Sequence, residues 1–214
     1  MLSELEFFIK GLTDKRWLQE RNNHIWDAWG GGISYGHDED TRQKMLEESD
    51  LGPIYGFQWR HFGALYQGLE ADYTGKGFDQ LANLVDILKK NPKDRRMIVS
   101  AWNPLQQDLM ALPACHYSFQ VNVLDGKINL AWNQRSVDVM LGLPFNIASY
   151  ATLLHLLAKE SGYKEGKLIS FLGDTHIYEN HVTGAEEQLG RKPYALPQIE
   201  TENFQSIFDW KYTD

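Results

Sequence analysis

The 214-residue chain has one cysteine, which excludes an internal disulfide as a brace for the fold. It has no apolar run of membrane length and no signal-type leader, so the sequence predicts a cytoplasmic protein. Positive charge is the minority sign: 21 Lys and Arg face 29 Asp and Glu, a formal net charge of −8. Such a balance argues against broad attraction to nucleic acid or to an anionic membrane. An anionic substrate would need a local cluster of cations, for which Arg95, Arg96 and Arg135 are the candidates. Internal repeats and low-complexity tracts are absent too, and the length fits one domain with a real core.

What is there concentrates between 111 and 158. After His116 the chain alternates, with Tyr117, Phe119, Val121 and Val123 on one side and Ser118, Gln120 and Asn122 on the other. That is the period of a half-buried strand. Asp125-Gly126 reads as a hairpin turn, and Ile128, Leu130 and Trp132 give the return strand. Cys115 then sits at the far end of one strand and Arg135 just past the end of its neighbour, so the hairpin brings the two together. An arginine near a thiol favours the thiolate, which is the nucleophilic form. Arginine beside a hydroxyl, as in Arg135-Ser136, also makes a phosphate clamp. Asn146 offers a donor and an acceptor, enough to read one edge of a pyrimidine. Taken alone, a single cysteine is more often a small buried apolar residue than a nucleophile.

The rest of the chain predicts helices at 1–11, from Asp14 as a cap with Trp17 and Leu18 inward, and over Phe78, Leu81, Leu84, Val85 and Leu88 as far as Asn91-Pro92. Residues 30–50 are polar and read as a loosely ordered surface insertion. Its run His37-Asp38-Glu39-Asp40 reads as solvated charge rather than a metal site. Met97 to Trp102 reads as a strand. Asn146 to Ser161 reads as a fully buried helix stopped by Gly162. Leu168 to Leu172 reads as a short strand, with Gly173 to Tyr178 placed for binding just past its end. A helix to Leu189 and a last strand at 195–200 complete the expectation.

Several stretches together resemble the thymidylate synthase family: LPACH at 112–116, NQRSVDVMLGLPFNIASY at 133–150 and GDTHIYENH at 173–181. SELEFFIKG, HIWDAW, LGPIYGFQWR and DRRMIVSAWN also match, in order, along nearly the whole chain. The resemblance implies an α+β fold with a large mixed or antiparallel sheet packed on helices, one sheet face forming a dimer interface. It implies conversion of dUMP to dTMP with methylenetetrahydrofolate as co-substrate, and no metal. Carried over residue by residue, Cys115 is the nucleophile, and Glu4, Tyr55, His116, Arg135 and Asp138 share the catalytic work. Gln134, Arg135, Ser136, Asn146, His176 and Tyr178 bind the nucleotide. Arg95 and Arg96 reach the phosphate in a partner subunit, making the protein a homodimer. Ile25, Trp26, Trp29, Leu112, Asp138, Gly142 and Phe145 form the folate site.

The chain departs from the family pattern in places. Ala114 precedes the cysteine where proline is usual, with Pro113 one place earlier, and Asn133 stands where tyrosine is usual. The pattern also has a segment before the first matched helix and a closing C-terminal tail that this sequence lacks. Two rival readings follow. A pyrimidine hydroxymethyltransferase of the same superfamily would quench the same cysteine adduct with water. A catalytically idle homologue would bind the nucleotide without turnover.

Overall fold

A computed structural model describes residues 1–30 and 38–213. Helix α1 (Leu2–Ile9) buries Leu5, Phe7, Phe8 and Ile9, and Gly11 leaves it at a φ of +72°. Helix α2 (Arg16–Gln19) follows, then α3 (Glu39–Glu47), α4 (Tyr55–His61) and α5 (Gln80–Lys90). Asp38 and Asp79 cap α3 and α5 by accepting from the Thr41 and Ala82 amides. Strand β1 (Ile98–Ser100) is short. Strands β2 (His116–Leu124) and β3 (Lys127–Asp138) form the hairpin, helix α6 (Gly142–Ser161) crosses over, and β4 (Lys164–His176) returns; α7 (Val182–Leu189) is last.

The four strands make one mixed sheet in the order β1-β2-β3-β4, antiparallel except for the parallel β3–β4 pair. This is the α+β class expected. The turn at Asp125 (φ 52°) and Gly126 (φ 72°) has the left-handed pair that matches strand twist. Phe119, Val121, Ile128, Leu130 and Trp132 face helices α1, α5 and α6 in a single core, in which Trp132 stacks on Tyr150 at 5.2 Å.

The structure corrects several expectations. Arg135 lies inside β3, which runs on to Asp138. Strand β4 is far longer than 168–172 because Gly166 and Gly173 do not break it. They permit its close approach to β3, where a Cβ would meet Asn129 Oδ1 at 2.5 Å and Arg135 O at 2.9 Å. Gly173 to His176 therefore belong to the strand rather than following it. Helix α6 starts at Gly142, since Pro144 falls in the first turn, where amides have no helical acceptor anyway. It is not buried throughout: Phe145 and Ile147 are exposed in its opening turns.

Asp14 does not cap α2. Lys15 occupies that position, while Asp14 accepts from the Arg16 amide and pairs with its guanidinium at 2.7 Å. Phe78 precedes α5 and is exposed. Of 97–102 only β1 is a strand, and its flanks touch β2 through single bonds, Ala101 N–H to Tyr117 O and Val121 N–H to Met97 O. Residues 195–200 form no strand, and Pro197 among them has no N–H to donate to a ladder. Part of the expected insertion at 30–50, including His37, lies outside the described residues; the described part carries α3. Among the described residues no helix is long and apolar enough to cross a membrane, and no cluster of acidic, His or Cys side chains could hold a metal.

Candidate active site

A cavity of about 310 Å³ opens where β2, β3 and β4 end beside α1, α4 and the first turns of α6. Each side contributes in a way its local structure dictates. Strand β3 sends Gln134, Ser136 and Asp138 to the cavity, because alternate residues share a face. The register Asp138↔His176 brings in the end of β4, with Tyr178 just beyond. Gly142, Phe145 and Asn146 come from the start of α6. Leu112 and Cys115 come from the loop entering β2, and His116 is the first residue of that strand. Glu4 on α1, Tyr55 at the start of α4, and Ile25, Trp26 and Trp29 on the turn after α2 form the opposite wall.

Cys115 is fixed by its backbone. Its amide donates to the Tyr55 hydroxyl at 2.7 Å, and its carbonyl accepts from the Arg135 amide at 2.9 Å. The hairpin therefore joins Cys115 and Arg135 as expected. The Arg135 side chain is on the other face of β3, however, and does not line the cavity. Its guanidinium donates to Ala114 O at 3.1 Å and Pro113 O at 3.0 Å, and lies 5.5 Å from the Trp102 ring centre. The expectation of a thiol held ionised by arginine also changes. Burial pushes the Cys115 thiol up, and the Arg135 charge and Tyr55 hydroxyl offset this only in part.

The proton-carrying groups around the thiol are all shifted by burial. Burial raises Glu4, although the Trp26 indole donates to its Oε1 at 2.7 Å. Burial pushes His116 down to about 3, so the ring is neutral near pH 7. That ring stacks on Tyr55 at 4.2 Å and shares a hydrogen bond with Tyr150 Oη at 2.9 Å. Burial also holds the Tyr55 hydroxyl well above the usual tyrosine range. The site thus contains a carboxyl whose proton affinity burial raises, two protonated phenols and a neutral imidazole. This set can pass protons without carrying much net charge.

The polar floor is ordered by short links. Gln134 Nε2 donates to Asn146 Oδ1 at 3.0 Å and to Ser136 O at 3.1 Å, while its own Oε1 accepts from the Trp132 indole at 3.2 Å. Asp138 Oδ1 accepts from the amides of Met140 and Leu141, which fixes the turn into α6. His176 Nδ1 pairs with Asp174 at 3.0 Å. Arg95 and Arg96 are remote from this cavity in the single chain. Both are exposed, and Arg96 binds Asp94 at 2.6 Å, holding that carboxyl down at about 2.

Reading the sequence missed Tyr150, which falls in the helix predicted to be fully buried and was given no role of its own. Only the fold shows its hydroxyl beside His116. Trp102 under Arg135 was missed in the same way.

A family model described as thymidylate synthase matches residues 1–214. A bifunctional dihydrofolate reductase-thymidylate synthase of Paramecium tetraurelia is 44% identical over 214 residues, covering 100% of this chain and 46% of that protein. A thymidylate synthase of Human herpesvirus 8 is 47% identical over 94% of this chain and 58% of its own length. One from Encephalitozoon cuniculi is 46% identical over 93% of this chain and 66% of its own length. The chain thus spans about half the length of the curated relatives it matches. A family match over every residue, carried by a cavity in which its motifs converge, means that this chain belongs to the thymidylate synthase family.

Proposed function

We propose that the chain catalyses reductive methylation of dUMP to dTMP through a covalent Cys115 adduct. One observation carries this reading. Cys115, Asn146, His176 and Tyr178 share a single cavity with an aromatic wall of Trp26 and Trp29. In this reading the Cys115 sulfur bonds to carbon six of the uracil, making carbon five nucleophilic. Asn146 reads the uracil edge, with its amide accepting from the ring N–H and donating to the carbonyl. Its Oδ1 is already oriented by Gln134. Ser136 and Arg135 serve the phosphate, the latter after releasing the 113 and 114 carbonyls. His176 and Tyr178 take the sugar hydroxyl.

The folate co-substrate supplies the one-carbon unit and the hydride. Ile25, Trp26, Trp29, Leu112, Gly142 and Phe145 would hold its rings, and Asp138 its pterin edge. Flat apolar walls with one carboxylate suit such a group. Glu4, Tyr55 and His116 move the protons. Arg95 and Arg96 complete the phosphate site of a second copy, so the working form is a homodimer, and the reaction takes place in the cytoplasm.

The test is mass spectrometry of the nucleotide pool after incubation with dUMP and methylenetetrahydrofolate. The expected products are dTMP and dihydrofolate. A hydroxymethylated nucleotide would replace this reading with the transferase that uses water. Unchanged dUMP would favour the idle homologue. Cys115→Ser should abolish turnover while dUMP binding survives; full turnover would eliminate the covalent route. Mixed dimers of Arg95→Ala/Arg96→Ala chains with Cys115→Ala chains should recover part of the activity.

A further inference from the structure

Lys15 has no part in the chemistry above, yet it is only 2% exposed. Burying an ammonium is costly unless its protons find acceptors. Its Nζ donates to four backbone carbonyls: Trp29 O at 2.8 Å, Met45 O at 2.9 Å, Asp27 O at 3.1 Å and Leu46 O at 3.2 Å. An ammonium has three N–H bonds, so at least one proton is shared between two of the four carbonyls.

The acceptors come from two places. Asp27 and Trp29 sit on the turn that carries Ile25, Trp26 and Trp29 to the cavity. Met45 and Leu46 are in the last turn of α3, whose carbonyls have no helical partners and whose dipole favours a cation. Gly30 meets the same helix end, where a Cβ would lie 2.4 Å from Glu48 O and 2.6 Å from Met45 O. The Lys15 amide is itself held by Ser49 O at 2.9 Å. The turn is therefore pressed against the exit of α3 and pinned there from below. At its other end Trp26 is held by Glu4. The carboxylates of Asp27 and Glu48 face the ammonium and favour its charged form, against the burial that pulls it down.

We propose that Lys15 is a positioning residue for the aromatic wall. By tying the 27–29 turn to α3 it holds Trp26 and Trp29 in place for the flat co-substrate, and so sets folate affinity without touching folate. This rests on the folate reading of the cavity.

Lys15→Met removes the charge and every donor at similar volume, whereas Lys15→Gln keeps two N–H donors. The KM for methylenetetrahydrofolate should rise about tenfold or more in Lys15→Met and less in Lys15→Gln, with kcat and the KM for dUMP nearly unchanged. A parallel rise in both KM values would overturn the proposal, since the lysine would then serve general stability alone.

Amide hydrogen exchange provides a readout that needs no turnover. Lys15→Met should speed exchange at residues 26–30 and 44–48 and leave β2 and β3 protected. Uniform acceleration, or none, would overturn the proposal even if the functional reading had already failed for want of product. If Lys15→Met does not fold, Lys15→Gln carries both measurements.

Discussion

The neutral, buried His116 makes acid sensitivity a direct test of the site's electrostatics. Its ring is clamped between Tyr55 and Tyr150, and its pKa falls from the ordinary 6.5 to about 3. The unfolded chain therefore takes up a proton on this ring at a pH where the folded chain does not. A depressed base contributes stability that is complete above the unfolded value and is lost as pH falls toward the folded one. The window is pH 6.5 down to about 3. Within it, each tenfold rise in proton concentration favours the unfolded chain by about 1.36 kcal/mol, so lowering the pH from about 6 to about 4 should remove about 2.5 kcal/mol through this group alone. His116 keeps some contact with the cavity, and solvent there makes the figure a ceiling. The assay is urea unfolding at a series of pH values for the wild type and for His116→Asn, which cannot titrate. The wild type should lose stability more steeply with acid, the difference approaching that ceiling. Parallel pH slopes for the two proteins would refute the reasoning.

Two further outcomes follow from the geometry. Arg135→Met removes the charge that partly offsets burial, so the Cys115 thiol should rise further and its alkylation by iodoacetamide at about pH 7.5 should slow several-fold; an unchanged rate would mean the charge does not reach the sulfur. Gly52 and Gly126 both have a φ near +70°, but a Cβ on Gly52 would sit 1.9 Å from Leu109 O while Gly126 faces open space. Gly126→Ala should cost about 1 kcal/mol in urea unfolding and Gly52→Ala about 3 kcal/mol or more, and equal losses would contradict the structure.

The hairpin was legible because its information is local: alternation on both strands and a turn pair with one obvious conformation. The cavity was legible because long motifs fix residue types one by one. Ile25, Trp26, Trp29, Asn146, His176 and Tyr178 all line it. What escaped depended on contacts across the fold. Gly166 and Gly173 look like strand breakers until β3 is laid against them. The Cys115 thiol cannot be placed from its neighbour Arg135 alone, because burial outweighs that charge. Lys15 resembles any surface lysine, and its acceptors are 12 to 31 residues away. The direction of the Arg135 side chain could have been inferred. If Gln134 and Ser136 face the cavity, the residue between them faces away.

The parallel β3–β4 pair has a consequence for the order of assembly. Strand β4 cannot pair with β3 until helix α6 has been made and has crossed over, because the register Lys127↔Lys164 spans that whole helix, whereas the β2–β3 hairpin closes locally. The β3–α6–β4 unit holds Gln134, Ser136, Asp138, Asn146 and His176, one side of the cavity. Glu4, Trp26 and Trp29 are made before that unit and must wait for it. The Trp26–Glu4 pair meets His116 and Asn146 only after α5, the β2–β3 hairpin and the start of α6 have been made. During synthesis the aromatic wall therefore lacks the strand ends and helix turn that face it across the cavity, and apolar surface in that state is open to capture by a chaperone.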